Sequence, residues 1–138
     1  MALLSFYIGI LPSNLNIYVE VINVCILDYI FEFNAKYNSI LSTIDGVNGD
    51  CSVYSYLLYE YFKLKGESVE IYMLNKGVHF WIKVKDFYID CRNIFSSEDK
   101  IIKSFLKYIV KVRVQSISID YLKKYILKNK PTFAYLFK

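Results

Sequence analysis

Apolar and polar residues alternate along short stretches in the middle of the chain, and a helical repeat replaces this alternation on either side. In residues 69–74 and 78–84 every second residue is apolar, and residues 75–77 between them read Asn-Lys-Gly. A period of two is typical of strands with one buried face, and such a tripeptide is typical of a turn. The pattern therefore predicts two strands, and then a third through about residue 91 after a short loop at residues 85–86.

A helix is predicted immediately before the strands, from Cys51 to about Lys65, and the turn-like residues 45–50 precede it. Asp50 is a suitable N-cap, and Gly66 is a suitable residue to end the helix in a left-handed conformation. The helix is apolar on nearly all sides, which predicts that it is central and well covered. Its main stripe consists of Cys51, Ser55, Leu58 and Phe62, with Tyr54, Leu57 and Tyr61 beside it.

The N-terminal part, residues 1–47, is predicted to be mainly helical. Residues 3–11 are apolar and compatible with either a short helix or a strand. Residues 14–42 carry apolar side chains near helical spacing, with Ser13 or Asn14 as a suitable N-cap. The β-branched residues in the first half of that segment favour a strand instead.

The C-terminal part, residues 93–138, is predicted to fold as helix, strand and helix. The elements are a helix over residues 96–109, a strand over residues 110–117 and a helix ending near Lys128 ahead of Pro131. Ser96 or Ser97 is expected to cap the first helix, and Asp120 or a nearby serine begins the last one. The apolar tail, residues 132–137, is expected to pack on the domain.

The chain has 138 residues, of which 55% are hydrophobic and 18% aromatic. This length and composition favour one α+β domain with a packed core, and they argue against disorder. Within it, residues 48–92 form the predicted catalytic core. The abundance of lysine over arginine, together with many Ile, Asn, Tyr and Phe residues, is typical of an AT-rich bacterial or phage genome.

The formal charge of +4 is concentrated after Lys100. Lys100, Lys103 and Lys107 share one face of a predicted helix, which indicates a solvated surface, and no nucleic-acid-binding motif accompanies them. The first nineteen residues carry no charge. Because residues 12–16 interrupt that apolar run, we expect no membrane insertion and a cytoplasmic protein.

Three cysteines, Cys25, Cys51 and Cys91, accompany a single histidine, His79. They form no CxxC pair, and one histidine leaves a zinc site without enough ligands at the usual spacings. We therefore expect no metal, no cofactor and no disulfide framework, in keeping with a reducing compartment.

Cys51 is a candidate nucleophile because it lies in the first turn of the predicted helix. The N–H groups and the dipole of that turn stabilise a thiolate, and the Cys51 N–H would point toward an oxyanion formed on an attacked carbonyl. A free cysteine alone is more often a small buried hydrophobe, so the assignment depends on its partners.

The partners follow from the register of the second and third strands. With a loop of two or four residues, His79, Trp81 and Lys83 share a face with Tyr88, Asp90 and Arg92, and the other face is entirely apolar. An odd loop would bury charge in the apolar face. In the even register Asp90 lies across from Trp81 and diagonal to His79, where it can fix the imidazole tautomer. The alternative is a structural histidine–aspartate pair beneath a tryptophan.

This pattern resembles the transglutaminase-like branch of the papain-like cysteine hydrolases. The matching residues are Cys51, Ser55, Gly66, His79, Trp81 and Asp90. The resemblance implies a central helix bearing the cysteine, packed on an antiparallel sheet bearing the histidine and aspartate of a Cys-His-Asp triad. The short spacings are similar to those of lasso-peptide leader peptidases, which cut a leader from a ribosomal precursor and usually work with a separate leader-binding partner.

The chain departs from the family at Asp50, Ser52 and Glu67, where arginine or proline is common, and these differences bear on precursor recognition. The oxyanion side chain is not identified by spacing. Its candidates are Asn48, Asn38 and Tyr37. Asn48 and Trp81 are the residues that we expect to support the site.

The expected function is cysteine-dependent acyl transfer on a peptide or amide bond of a peptide or protein substrate. Peptide-bond cleavage by a small cysteine peptidase is the leading interpretation, and glutamine deamidation or transamidation is the alternative within the class. A binding or inhibitory module that keeps a papain-like fold without turnover is the alternative from another class.

Overall fold

The structure, a computed structural model, describes residues 24–45, 50–91, 93–104 and 111–138. Its helices are α1 (Val24–Lys36), α2 (Asn38–Leu41), α3 (Cys51–Leu64), α4 (Glu98–Lys103) and α5 (Ile119–Asn129), followed by a 3₁₀ helix (Pro131–Phe137). Its strands are β1 (Val69–Leu74), β2 (His79–Val84), β3 (Phe87–Ile89), β4 (Ile94–Phe95) and β5 (Val114–Ile117).

The strands form one antiparallel sheet in the order β4-β3-β2-β1-β5, which confirms the α+β class. Helix α3 packs across β2 and β1, and α5 packs against α3. Because β4 and β5 follow residue 92, the predicted catalytic core and the C-terminal part share this sheet.

The two faces of the sheet bury different clusters. Phe80 and Ile82 face the main core beneath α3, whereas Trp81 faces a smaller cluster on the other side. Side chains alternate along a strand, so one strand supplies both clusters. Among the described residues, the buried members of the smaller cluster are Leu74, Trp81, Phe95 and Ile101.

Helix α3 begins and ends where its sequence predicts. Gly66 has a positive φ of 81°, and the N–H of Glu67 donates to the Phe62 carbonyl at 3.0 Å, as in a Schellman cap. Its covering by core residues on nearly all sides is also confirmed. Asp50 occupies the N-cap position as predicted, but its side chain makes no capping hydrogen bond to the helix, because the carboxylate is engaged elsewhere.

The β2–β3 hairpin has the predicted even register. Lys85 and Asp86 form a two-residue loop, and the paired positions are Ile82 with Ile89, Lys83 with Tyr88 and Val84 with Phe87. The apolar residues of both strands therefore face α3 together. Strand β3 is shorter than predicted, and the short strand β4 was not predicted at all.

The remaining elements agree in part with their predictions. Helices α1 and α2 lie within the predicted segment 14–42, and residues 1–23 lie outside the described part of the chain. Helix α4 and strand β5 are shorter than predicted over the described residues. Ser118 caps α5, its hydroxyl accepting from the Tyr121 N–H at 3.0 Å. The tail packs on the domain as predicted, through the buried Phe133.

Candidate active site

A buried histidine–aspartate pair lies at one end of the sheet. His79 is the first residue of β2, and Asp90 directly follows β3. The hairpin register brings them together, so that Nε2 of His79 lies 2.7 Å from Oδ2 of Asp90. Each residue is only 2% exposed. The hydrogen bond therefore forms away from competing water, where it is electrostatically strong.

The second carboxylate oxygen of Asp90 is also engaged. Oδ1 accepts from the backbone N–H of Asn93 at 2.8 Å, and the Asp90 N–H donates to the Asn93 carbonyl at 3.1 Å. These two bonds close the bend between β3 and β4. They fix the plane of the carboxylate and thus the direction in which it holds the imidazole.

The pair determines the chemistry of the other imidazole nitrogen. In the tautomer whose Nε2–H donates to the Asp90 carboxylate, Nδ1 is the unprotonated nitrogen and therefore the basic one. A carboxylate also stabilises the imidazolium that protonation of Nδ1 creates. His79 thus has the hydrogen bond that a general base requires to hold its orientation.

Trp81 packs near the imidazole from the smaller cluster. Its ring lies 6.0 Å from the His79 ring and stacks on Tyr72 at 6.2 Å, and it is fully buried. Burial raises the pKa of the neighbouring Glu98 carboxyl above its ordinary value, and the indole N–H of Trp81 acts in the opposite direction. Trp81 therefore lies beside the imidazole, and its supporting role stays a prediction.

Cys51 lies in the first turn of α3, as predicted, and it is 4% exposed. Its sulfur lies 2.7 Å from the sulfur of Cys91, close enough for one thiol to donate to the other. No disulfide bond joins the two sulfurs in this structure. The thiol–thiol contact was not predicted, because strand alternation indicated only that Cys91 would lie on the apolar face.

The histidine–aspartate pair and the thiol pair are linked through the chain, because Asp90 of the first pair is followed directly by Cys91 of the second. The pKa of the Tyr54 hydroxyl, one turn after Cys51 on α3, responds to a member of each pair. Burial raises the pKa of its hydroxyl above the ordinary value, and the charges of Cys91 and Asp90 raise it further. The Tyr54 hydroxyl therefore lies within electrostatic range of Asp90 as well as of Cys91.

Asp50 places a carboxylate beside the candidate nucleophile. Its Oδ2 accepts from the Asp45 N–H at 2.8 Å, and its Oδ1 lies 3.1 Å from the Lys130 ammonium at the end of α5. A bare carboxylate at this position would oppose a Cys51 thiolate, and the Lys130 charge offsets it. This role of Lys130 has no local signal in the sequence.

The oxyanion candidates have different outcomes. Asn48 lies outside the described residues. Asn38 is exposed on α2, and Tyr37 packs its ring 5.0 Å from that of Phe33. Sequence reasoning named Ser52 only as a departure from the family and not as an oxyanion donor. Its hydroxyl is fully buried directly after Cys51 and has no hydrogen-bond partner among the described residues. It is therefore a further candidate donor near the first turn of α3.

A cleft of about 410 Å³ lies between α5 and the β1–β2 turn. It is lined by Lys76, Tyr121, Lys124, Tyr125, Lys128 and Asn129. Tyr125 ties its two walls together, because its hydroxyl donates to the Gly77 carbonyl at 3.4 Å and its ring lies 4.8 Å from Phe80. Since Gly77 is two residues before His79, the cleft adjoins the start of the strand that carries the histidine.

Within residues 24–45, 50–91, 93–104 and 111–138, no cluster of His, Cys, Asp and Glu side chains has the arrangement of a metal site. None of the helices described there is both long and apolar enough to cross a membrane. Comparison with known protein families, curated proteins and solved structures finds no match.

Proposed function

We propose that this protein is a cysteine-dependent acyl-transfer enzyme with a papain-like, transglutaminase-like core. In this proposal the Cys51 thiolate attacks the carbonyl carbon of a peptide or amide bond. His79 takes the thiol proton and returns it to the departing amine, and Asp90 orients the imidazole. Water then hydrolyses the thioester and releases the acid, and a primary amine in place of water would complete a transamidation.

The observation that carries the proposal is the 2.7 Å hydrogen bond between His79 Nε2 and Asp90 Oδ2 at 2% exposure. A buried ionisable pair costs desolvation free energy, which apolar side chains of similar size would avoid. Its cost is understandable if the pair performs chemistry. The assignment of Cys51 as the third member is supported by its place at a helix start and by its 2.7 Å contact with Cys91, the residue that follows Asp90.

Peptide-bond cleavage is the leading reaction within the class, and the cleft between α5 and the β1–β2 turn, lined by three lysines, is the surface that we assign to the peptide segment. Deamidation or transamidation of glutamine uses the same three residues and differs in the substrate and the acceptor. In the leader-peptidase form of the proposal, the substrate is a precursor peptide that a separate leader-binding partner presents.

A second candidate function is a binding or inhibitory module that keeps the fold without turnover. The burial of Cys51, His79 and Asp90 favours it, since each is at most 4% exposed. A substrate carbonyl has to reach the sulfur, and a purely structural pair has no such requirement. The two candidates therefore differ in whether an electrophile reaches Cys51.

A small activated ester tests this difference without knowledge of the substrate. Reduced protein would be mixed with p-nitrophenyl acetate, and the release of p-nitrophenolate and the acetylated peptide would be followed. The proposal predicts a burst of product and one acetyl group on Cys51, removed with time by hydrolysis. Cys51→Ala should lose the burst, whereas Cys25→Ala, the same change at the third cysteine, should keep it. Acetylation confined to lysines would favour the binding module.

A further inference from the structure

We propose that Cys51 and Cys91 are a disulfide-forming pair, through which a hydroperoxide reversibly blocks the Cys51 thiol. The observation is the 2.7 Å separation of the two sulfur atoms, which belong to residues 40 positions apart in the chain. A disulfide bond is about 2.05 Å long, so the sulfurs need to approach by less than about 1 Å.

The two backbones that carry these sulfurs are held by the core. Cys51 is in the main core cluster on α3, and Cys91, just beyond β3, packs against the same cluster. Because α3 packs across β2, and β2 is hydrogen-bonded to β3, the separation of the two cysteines is set by the tertiary fold. The pair is therefore close before any oxidation occurs.

The two thiols have different environments, which assigns them different parts in the reaction. Cys51 is in the first turn of a helix of fourteen residues, where a thiolate is stabilised. Cys91 is partly exposed and lies outside the regular strands and helices. Cys51 is the thiol that reacts first, and Cys91 is the thiol that resolves the product.

The steps balance with a hydroperoxide as the two-electron oxidant. The Cys51 thiolate attacks the terminal oxygen of the hydroperoxide, the O–O bond breaks, and an alcohol or water leaves after taking up a proton. The Cys91 thiolate then attacks the sulfur of the Cys51 sulfenic acid. The S–O bond breaks, the S–S bond forms, and the departing hydroxide is protonated to water. A dithiol reductant returns the two electrons and restores both thiols.

The consequence for activity rests on the proposed function, since a disulfide removes the nucleophile of acyl transfer. The formation of the bond does not rest on it, because it requires only the two thiols and the oxidant. Disulfide formation also keeps the Cys51 sulfur in a state that a thiol can reduce, and so prevents its irreversible oxidation to sulfinic or sulfonic acid. The pair would thus protect a reactive thiol while switching it off.

Mass mapping after mild oxidation tests the pairing directly. Reduced full-length protein would be treated with hydrogen peroxide, quenched with N-ethylmaleimide, digested without reduction and analysed for linked peptides. The expected result is an intramolecular Cys51–Cys91 peptide pair that dithiothreitol abolishes, with Cys25 still alkylated. Sulfinic acid on Cys51 without a linked pair would overturn the proposal, as would a link that includes Cys25 or joins two chains.

A matched variant tests the resolving part. In the unaltered protein, dithiothreitol should restore the Cys51 thiol after peroxide treatment. In Cys91→Ala, a long exposure to peroxide should cause a loss of this thiol that dithiothreitol no longer reverses. Cys25→Ala should behave like the unaltered protein. Complete thiol recovery in Cys91→Ala would overturn the proposal. The p-nitrophenyl acetate burst of the reduced protein is measured separately. A linked pair without any burst would refute the acyl-transfer function and leave the disulfide standing.

Discussion

The two side-chain pairs at the end of the sheet, one buried and one partly buried, differ in the contacts that fix their atoms. In the His79–Asp90 pair, both carboxylate oxygens accept hydrogen bonds, and the imidazole rests beside Trp81. In the Cys51–Cys91 pair, two sulfurs face each other, and one belongs to a partly exposed residue outside the regular strands. The comparison indicates a rigid acid–base pair, fixed by hydrogen bonds on both carboxylate oxygens, beside a thiol pair that tertiary packing brings together.

The largest effect is expected from breaking the rigid pair. Asp90→Asn keeps the shape of the side chain but replaces one acceptor with an amide donor, which favours the imidazole tautomer that cannot take the thiol proton. We expect the p-nitrophenyl acetate burst to slow by at least about a hundredfold. Asp86→Asn, the same change at an exposed position of the β2–β3 loop, is the control. Equal rates for the two variants would show that Asp90 is structural.

The rigid pair was predictable because several sequence signals agree on it. Alternation in β2 and β3, the cost of burying charge, and the two-residue loop at Lys85 and Asp86 all select one register. That register is what brings His79 to Asp90. The start of α3 was also predictable, because turn residues precede an apolar run that ends at Gly66.

The Cys51–Cys91 thiol pair was not predictable in the same way. Alternation places Cys91 on the apolar face but does not show which helix residue it meets, since that depends on how α3 crosses the sheet. Asp50 was assigned to a local cap, yet its carboxylate pairs with Lys130, a residue brought near it only by the docking of α5. Strand β4 has two residues, too few for a periodic pattern.

A smaller effect is expected from the charge beside the thiol pair. Lys130→Met would leave the Asp50 carboxylate without its ammonium partner and so oppose the Cys51 thiolate. We expect alkylation of Cys51 by iodoacetamide at neutral pH to slow by about three- to tenfold. Lys123→Met on the same helix is the matched control. An unchanged rate in Lys130→Met would mean that Asp50 does not act on the thiol, and raised salt should reduce any difference.

The smallest effect concerns Glu98, which lies beside Trp81 on the face of the sheet that carries the smaller cluster. The raised pKa of Glu98 means that folding disfavours its charged form, chiefly through burial. Its contribution to stability is therefore fully present below the ordinary value of 4.5 and is lost as the pH rises through the higher folded-state value.

Glu98→Gln should remove this pH dependence. We expect it to raise the free energy of unfolding at neutral pH by well under about 1 kcal/mol, with no gain in acid. Urea unfolding at neutral pH and at a pH below 4.5 measures the difference in unfolding free energy between the variant and the unaltered protein. Asp99→Gln, one residue along the same helix, is the control. A larger gain in acid than at neutral pH would contradict the assignment.

The central claim, that the His79–Asp90 pair activates the Cys51 thiol, is tested most directly by thiol alkylation rates. Fully reduced protein would be pulsed with iodoacetamide at neutral pH, and the modified Cys25, Cys51 and Cys91 peptides quantified, with the denatured chain as the reference. We predict that Cys51 reacts at least about tenfold faster than the other two, and that His79→Ala removes this difference. Equal rates for all three thiols, or a fast Cys51 that persists in His79→Ala, would contradict the claim.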